Sequence, residues 1–145
     1  MQYFNNAELG RTIILRLDQG DHVLESIQRV LDETGITDGY IASGIGTLDY
    51  CRLHMVTTTG YPAVETYPEW KDEALELVSV SGIIADGKPH LHTVVSDKDK
   101  AYAGHMEPEC RILYLGEIVI QELVGQAMER VRNSRGIFEL ETKGK

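Results

Sequence analysis

The sequence predicts an α+β fold, in which a curved and mainly antiparallel sheet is flanked by one helix. Three observations carry this. One early stretch, 23–31, repeats its apolar residues with a helical period. Most of the remaining chain consists of short runs that alternate with a period of two. Those runs are punctuated by turn residues. At 145 residues the chain can close a core without staples. No repeat, low-complexity tract or Pro/Gly/Ser linker divides it, so one domain over 1–145 is expected, with its core at about 11–141.

The first expected strand is 12–17, where Ile13, Leu15 and Leu17 alternate with Thr12, Ile14 and Arg16. Gln19-Gly20 turns the chain, and Asp21 is placed to cap a helix by accepting from its first N–H groups. Val23, Ile27, Val30 and Leu31 make the buried stripe of that helix, which Gly35 ends. A second strand, 40–43, runs into Gly44-Ile45-Gly46, read as a tight bend or bulge. It is not a phosphate loop, because Asp49 stands where the third glycine of such a fingerprint belongs and another strand comes next.

From 48 to 57 the period is two again, with Cys51, Leu53 and Met55 on one face and Tyr50, Arg52, His54 and Val56 on the other. A short edge strand is expected over 63–67 between Pro62 and Pro68, and a long one over 75–85 that ends in the turn Asp86-Gly87-Lys88. Further strands are expected at 89–96 and 111–123. Segments 128–133 and 137–141 can pair as a hairpin across Ser134-Arg135-Gly136, with a helix through 126–130 as the alternative.

Composition narrows the function. The N-terminal residues show no basic start followed by an apolar stretch, so a cytoplasmic location is expected. No apolar run approaches the roughly 20 residues that span a bilayer. The net charge of −9 opposes nucleic-acid binding, which rests on Lys and Arg neutralising phosphates. Arg130, Arg132 and Arg135 form the one candidate basic patch, diluted by Glu129, Glu139 and Glu141. Cys51 and Cys110 are too far apart for a CxxC knuckle, and Cys51 reads as a small buried hydrophobe.

The informative stretch is Pro89-His90-Leu91-His92. On a strand, residues i and i+2 share a face, so His90 and His92 present two imidazoles side by side while Leu91 and Thr93 point away. His105, in Ala103-Gly104-His105-Met106, can supply a third ring if the chain turns at Asp97-Lys98-Asp99-Lys100 and returns alongside. Gly104 lets the backbone pass close to a neighbour. Three imidazoles with a fourth position open suit an exchangeable or catalytic zinc, or another divalent transition metal. His54 could support these ligands from behind. Asp97 or Glu107 could act as a general base if either points into the site. Asp97 and Asp99 lack the further oxygen ligands of a calcium loop.

Arg11 to Asp21 with its Arg-x-x-x-x-x-Leu-x-x-Gly-Asp pattern, Ile41-Ala42-Ser43-Gly44-Ile45-Gly46, Glu76-Leu77-Val78-Ser79-Val80-Ser81-Gly82, Pro89-His90-Leu91-His92, the Ser96-Asp97 loop and Gly104-His105 follow one another along the chain. In this order and spacing they resemble the plants and prokaryotes conserved (PPC) domain. The resemblance covers about 11–141. It implies an α+β domain assembled as a homotrimer, with a metal, typically zinc, on His90, His92 and His105 in some prokaryotic members. In plant members the domain follows a basic Arg-Gly-Arg segment that grips DNA and itself recruits other proteins. Every residue before Arg11 here is non-basic. A trimer would also cover the second apolar face of strands such as 112–120, since one helix covers only one.

The leading expectation is a cytoplasmic homotrimeric zinc-binding module for assembly or interaction. A metal-dependent enzyme of hydrolase or lyase type, using the open metal position, is the second reading. A DNA-associated regulator is the third. The resemblance carries over no catalytic residue.

Overall fold

The computed structural model describes residues 1–144. Among them the chain forms strands β1 (Glu8–Asp18), β2 (Gly39–Val56), β3 (Glu65–Thr66), β4 (Glu69–Ala85), β5 (Lys88–Ser96), β6 (Ala101–Met106), β7 (Arg111–Val124), β8 (Met128–Arg132) and β9 (Phe138–Thr142), with helix α1 (Val23–Thr34) between β1 and β2. The expected α+β class is the observed one. The large sheet runs β1-β7-β2-β4-β5-β6, with β3 beside β2, and each pairing in it is antiparallel. The outermost strand, β6, also pairs with the end of β2, where Leu53 opposes Met106 and His54 opposes His105. Strands β2, β4, β5 and β6 thus close into a ring. The other hairpin, β8–β9, pairs in the register expected from its turn, so the helical alternative for 126–130 is not adopted.

Helix α1 buries Val23, Ser26, Ile27 and Leu31, with Val30 half-buried beside them. They pack on Leu17 of β1 and Ile112, Ile118 and Ile120 of β7, all fully buried. Gly35 ends the helix in the left-handed conformation, φ 70°, its N–H donating to the Leu31 carbonyl.

The start of the helix differs from expectation. Asp21 does not cap it. Its carboxylate accepts from the Asp18 N–H (2.8 Å) and so ties the preceding turn, while His22 occupies the cap position without a side-chain bond. The helix start is fastened by backbone instead. Val23 N–H donates to the Cys110 carbonyl (2.9 Å) and Ile112 N–H to the Asp21 carbonyl (2.9 Å). Pairing with β7 thus satisfies the Val23 N–H and holds the helix start in place without a side-chain cap.

Two expected strands, 40–43 and 48–57, are one continuous strand. Of the bend or bulge expected at Gly44-Ile45-Gly46, the bend is not formed; the strand runs on through it with register irregularities of the bulge kind at Ile41/Ser43 and Gly46/Leu48. β4 starts at Glu69, earlier than apolar alternation indicates, because its polar first residues pair with β2: Trp70 opposes Cys51 and Lys71 opposes Tyr50. The segment expected over 63–67 pairs only at Glu65 and Thr66. Cys51 is a buried residue, as expected. Its Sγ lies 4.0 Å from that of Cys110, and both thiols are free. No helix is long and apolar enough to cross a membrane.

One clip joins β1, β7 and the helix end. Glu122 accepts from Arg11 three times: Nη2 reaches Oε1 (2.7 Å), and both Nε (2.8 Å) and the backbone N–H (2.9 Å) reach Oε2. Arg11 Nη1 also donates to the Thr34 carbonyl (3.0 Å), where a cation suits the helix C-terminus. The guanidinium and the Arg11 N–H hold the Glu122 carboxyl down at about 2. A depressed folded-state value means the stabilisation is complete above the unfolded value of about 4.3 and is lost as pH falls toward the folded one. Glu122→Gln is therefore expected to lower the melting temperature at pH 7. Its deficit against the wild type should shrink as thermal unfolding is repeated from about pH 5 down to pH 2.

Candidate metal centre

Strand β5 alternates as its sequence requires: Leu91 and Thr93 are buried, and His90 and His92 lie on the open face. Thr93 Oγ1 donates to the Ser79 carbonyl of β4 (2.7 Å), which satisfies the one polar group this strand sends into the core. Across the β4–β5 ladder, His90 faces Ile83 and His92 faces Ser81. Gly82 lies between those two partners with φ 156°, and a Cβ there would come within 2.0 Å of the His90 carbonyl oxygen and 2.9 Å of the Leu91 Cα. Only glycine allows β5 to approach β4 this closely where the first ligand candidate is held.

His105 arrives as the turn at Asp97 predicts. Asp97 Oδ1 accepts from the N–H groups of Asp99 and Lys100 (both 2.7 Å), and Oδ2 accepts from the Tyr102 hydroxyl (2.9 Å). The chain reverses into β6, where His105 opposes His92 on one side and His54 on the other. Gly104 makes room, since a Cβ there would sit 2.8 Å from the His54 carbonyl oxygen.

The three rings meet. Centroids of His90 and His92 are 5.3 Å apart, of His90 and His105 4.9 Å, and of His92 and His105 5.5 Å. One nitrogen from each lies within 4.8 Å of the other two, so the three histidines could hold a metal ion. Zinc–nitrogen bonds of about 2.0–2.1 Å in a tetrahedral site separate ligand atoms by roughly 3.4 Å. Side-chain rotation of exposed His90 and His92 can close that difference without moving the strands. The donor set fits a borderline transition metal. Burial holds the imidazoles of His90 and His105 below their ordinary pKa. For His90 the facing ring of His105 and the Arg130 guanidinium add to this, and for His105 the rings of His92 and His54 do so, followed by Arg130. Neutral imidazole is the form that binds metal.

His54 is closer to this cluster than sequence reasoning placed it. Its ring meets His105 edge-on, 5.7 Å between centroids, and stacks on Tyr67 at 4.9 Å. It contributes no ligand atom to the three-nitrogen group. Glu65 Oε1 lies 3.4 Å from Nε2 and Glu107 Oε1 lies 3.6 Å from Nδ1. Neither contact closes a hydrogen bond, and Nε2 is buried without a partner. Glu107 therefore faces His54, and Asp97 is committed to its turn. Neither lines the cavity on which the triad opens.

That cavity holds about 640 Å³ and is walled by His54, Met55, Val56, His90, His92, Ala103, Gly104, His105, Ile137 and Phe138. A neighbouring cleft of about 320 Å³ shares His90, His92 and Phe138 and adds Gly82, Ile83, Arg130 and Leu140. The hairpin β8–β9 thus forms one wall of the site. Arg130 fixes it there, donating through Nη2 to the Ile83 carbonyl (2.8 Å) and through Nη1 to the Lys88 carbonyl (3.2 Å).

Fold and site define a small antiparallel α+β domain with a three-histidine cluster opening on a cavity. The family model for the Plants and Prokaryotes Conserved (PCC) domain matches residues 4–124, and the chain belongs to that family. A metal-containing protein from Archaeoglobus fulgidus is similar over 97% of this chain and 99% of its own, at 28% identity and a TM-score of 0.80. A plant- and prokaryote-conserved protein from Pyrococcus horikoshii matches over 97% of both chains, at 26% identity and a TM-score of 0.80. The chain is also 28% identical over 109 residues to the bifunctional protein GlmU of a Synechococcus strain. That match takes in 74% of this chain and 16% of that protein, so the chain spans about a sixth of that curated relative.

Gly82→Ala tests whether the close β4–β5 approach supports the cluster. It is expected to destabilise the fold by about 2–3 kcal/mol in urea unfolding, since the strands must part to admit the methyl group. It should also weaken metal binding in the fraction that stays folded.

Proposed function

We propose that this is a homotrimeric metal-binding domain, with zinc on His90, His92 and His105, that serves as an assembly or interaction module. The observation that carries the metal reading is the convergence of three imidazole nitrogens within 4.8 Å from two adjacent strands. The similar Archaeoglobus protein is itself described as metal-containing. What zinc supplies in such a site is Lewis acidity toward a carbonyl group or water. Purified protein is expected to take up one zinc ion per chain in a calorimetric titration. His90→Ala, His92→Ala and His105→Ala should each weaken that binding by at least about a hundredfold. Unchanged affinity in all three variants would overturn the assignment.

The trimer is supported by an exposed apolar surface on β2, β4 and β7. Ile45, Val78, Tyr114 and Leu115 are 47%, 51%, 69% and 50% exposed, and they line one cleft with Gly46, Thr47, Glu76, Leu77 and Ser96. Such a contiguous patch marks an interface more often than bare surface. Light scattering is expected to return three times the 16.2 kDa chain mass. Leu115→Glu should reduce the particle to one chain, and a wild type of 16.2 kDa would contradict the reading.

A metal-dependent enzyme is the second reading, favoured by the cavity on which the triad opens. The general bases weighed for it, Asp97 and Glu107, stand outside that cavity, whereas the imidazole of His54 lines it. For the DNA-associated reading, Arg130 of the one candidate basic patch is committed to the Ile83 and Lys88 carbonyls and Arg132 to the Gly136 carbonyl of its own hairpin turn, which works against it.

A further inference from the structure

Charge is distributed unevenly around the histidine cluster. Its carboxylates, Glu65 and Glu107, gather about His54. On the other flank stands Arg130, half-withdrawn from solvent, which spends two of its N–H groups on the Ile83 and Lys88 carbonyls. A guanidinium carries five N–H groups, so others remain. Among the described residues Arg130 forms no ion pair, and no Asp or Glu lines either cavity that meets at His90 and His92. Three neutral imidazoles leave a divalent ion its full charge. The open side of the site therefore presents the ion and Arg130 with no anion to balance them.

The walls add a second requirement. Met55, Val56, Ile137 and Phe138 line the larger cavity, and Val56, Ile137 and Phe138 are 60%, 50% and 64% exposed. A bare inorganic anion would answer the charge and leave those side chains in water. A neutral apolar molecule would cover them and leave the charge unanswered. Ligand sites that combine apolar walls with a few convergent polar groups select molecules that carry both features.

We propose that the open side of the histidine cluster binds a small organic carboxylate with an apolar body. The carboxylate faces the metal position and Arg130, and the body lies against Met55, Val56, Ile137 and Phe138. The inference rests on the metal reading and names the class of ligand that reading leaves open. Arg130 does two things here, holding the β8–β9 hairpin as a wall and supplying charge to the ligand.

The test uses the full chain loaded with cobalt(II), whose visible absorption bands respond to a change of ligand. The probes are acetate, hexanoate, hexanamide and inorganic phosphate. Hexanoate is expected to shift the bands and to bind more tightly than acetate by roughly fourfold for each methylene it buries. Hexanamide, with the same chain and no charge, should leave the bands unmoved. Phe138→Ala should keep acetate binding and erase most of the gain from chain length. Arg130→Gln, compared at saturating cobalt, should weaken both acetate and hexanoate by tenfold or more. Arg130→Lys, which keeps the charge, should recover most of that loss.

Cobalt bound with bands that no carboxylate moves would overturn the inference while leaving the metal reading in place. Phosphate binding as tightly as hexanoate, or hexanoate no better than acetate, would overturn the apolar half of it. Failure to bind cobalt at all would remove the metal reading and this one with it.

Discussion

The second pairing of β6, onto the end of β2, is the constraint on which the rest depends. Pairing with β5 alone would leave β6 at a sheet edge, its side chains answering to one neighbour. Held between β5 and β2, it fixes the register of His105 from both sides, opposite His92 and opposite His54. Each cross-strand neighbour lies at the short spacing that antiparallel ladders impose, so four imidazoles gather on one stretch of a closed ring. The cost is close backbone approach, which the absence of side chains at Gly82 and Gly104 relieves.

The strands that carry the site also build the core: Leu53, Leu77, Leu91, Val95 and Met106 are buried beneath the histidine face. At the helix end of the core, Leu17, Ile27, Ile112, Ile118 and Ile120 meet, and there Arg11 grips Glu122. The histidines stand on the ring of β2, β4, β5 and β6, with His90 and His92 exposed. A ligand site whose side chains alternate with core residues on the same strands is held rigidly by that core. The wall supplied from outside the large sheet is the β8–β9 hairpin. It is tied down by Arg130, by the Met128 N–H donating to Asp38 Oδ1 (2.8 Å) and by Lys143 on Asp86, and lies beyond the residues that the family model matches.

Much of the site was legible because strand periodicity is strict. Once 89–96 is a strand, His90 and His92 must share a face, and Asp97 with its neighbours announces the reversal that returns His105. His54 was legible as outward-facing, but its position beside His105 was not. The β2–β6 pairing joins segments some fifty residues apart in sequence, and no local pattern encodes it. The wall formed by Arg130, Ile137 and Phe138 was hidden for the same reason: a hairpin's own register is local, whereas its docking is tertiary. Asp21 shows the converse failure. Its residue type suits a helix cap, yet the helix start is already bonded to Cys110 and the Asp21 carboxylate is taken by the neighbouring turn. Polar first residues of β4 concealed that strand's start, because pairing with β2 fixes it there rather than apolar alternation.

The proposed function rests on one ion shared by three rings. An anomalous-difference map from a crystal grown without added metal, with data on both sides of the zinc edge, tests this most directly. A single strong peak per chain is predicted, bonded to His90, His92 and His105, with one coordination position turned to the cavity bounded by Phe138. A featureless map at that point, or an ion held by other side chains, would contradict it.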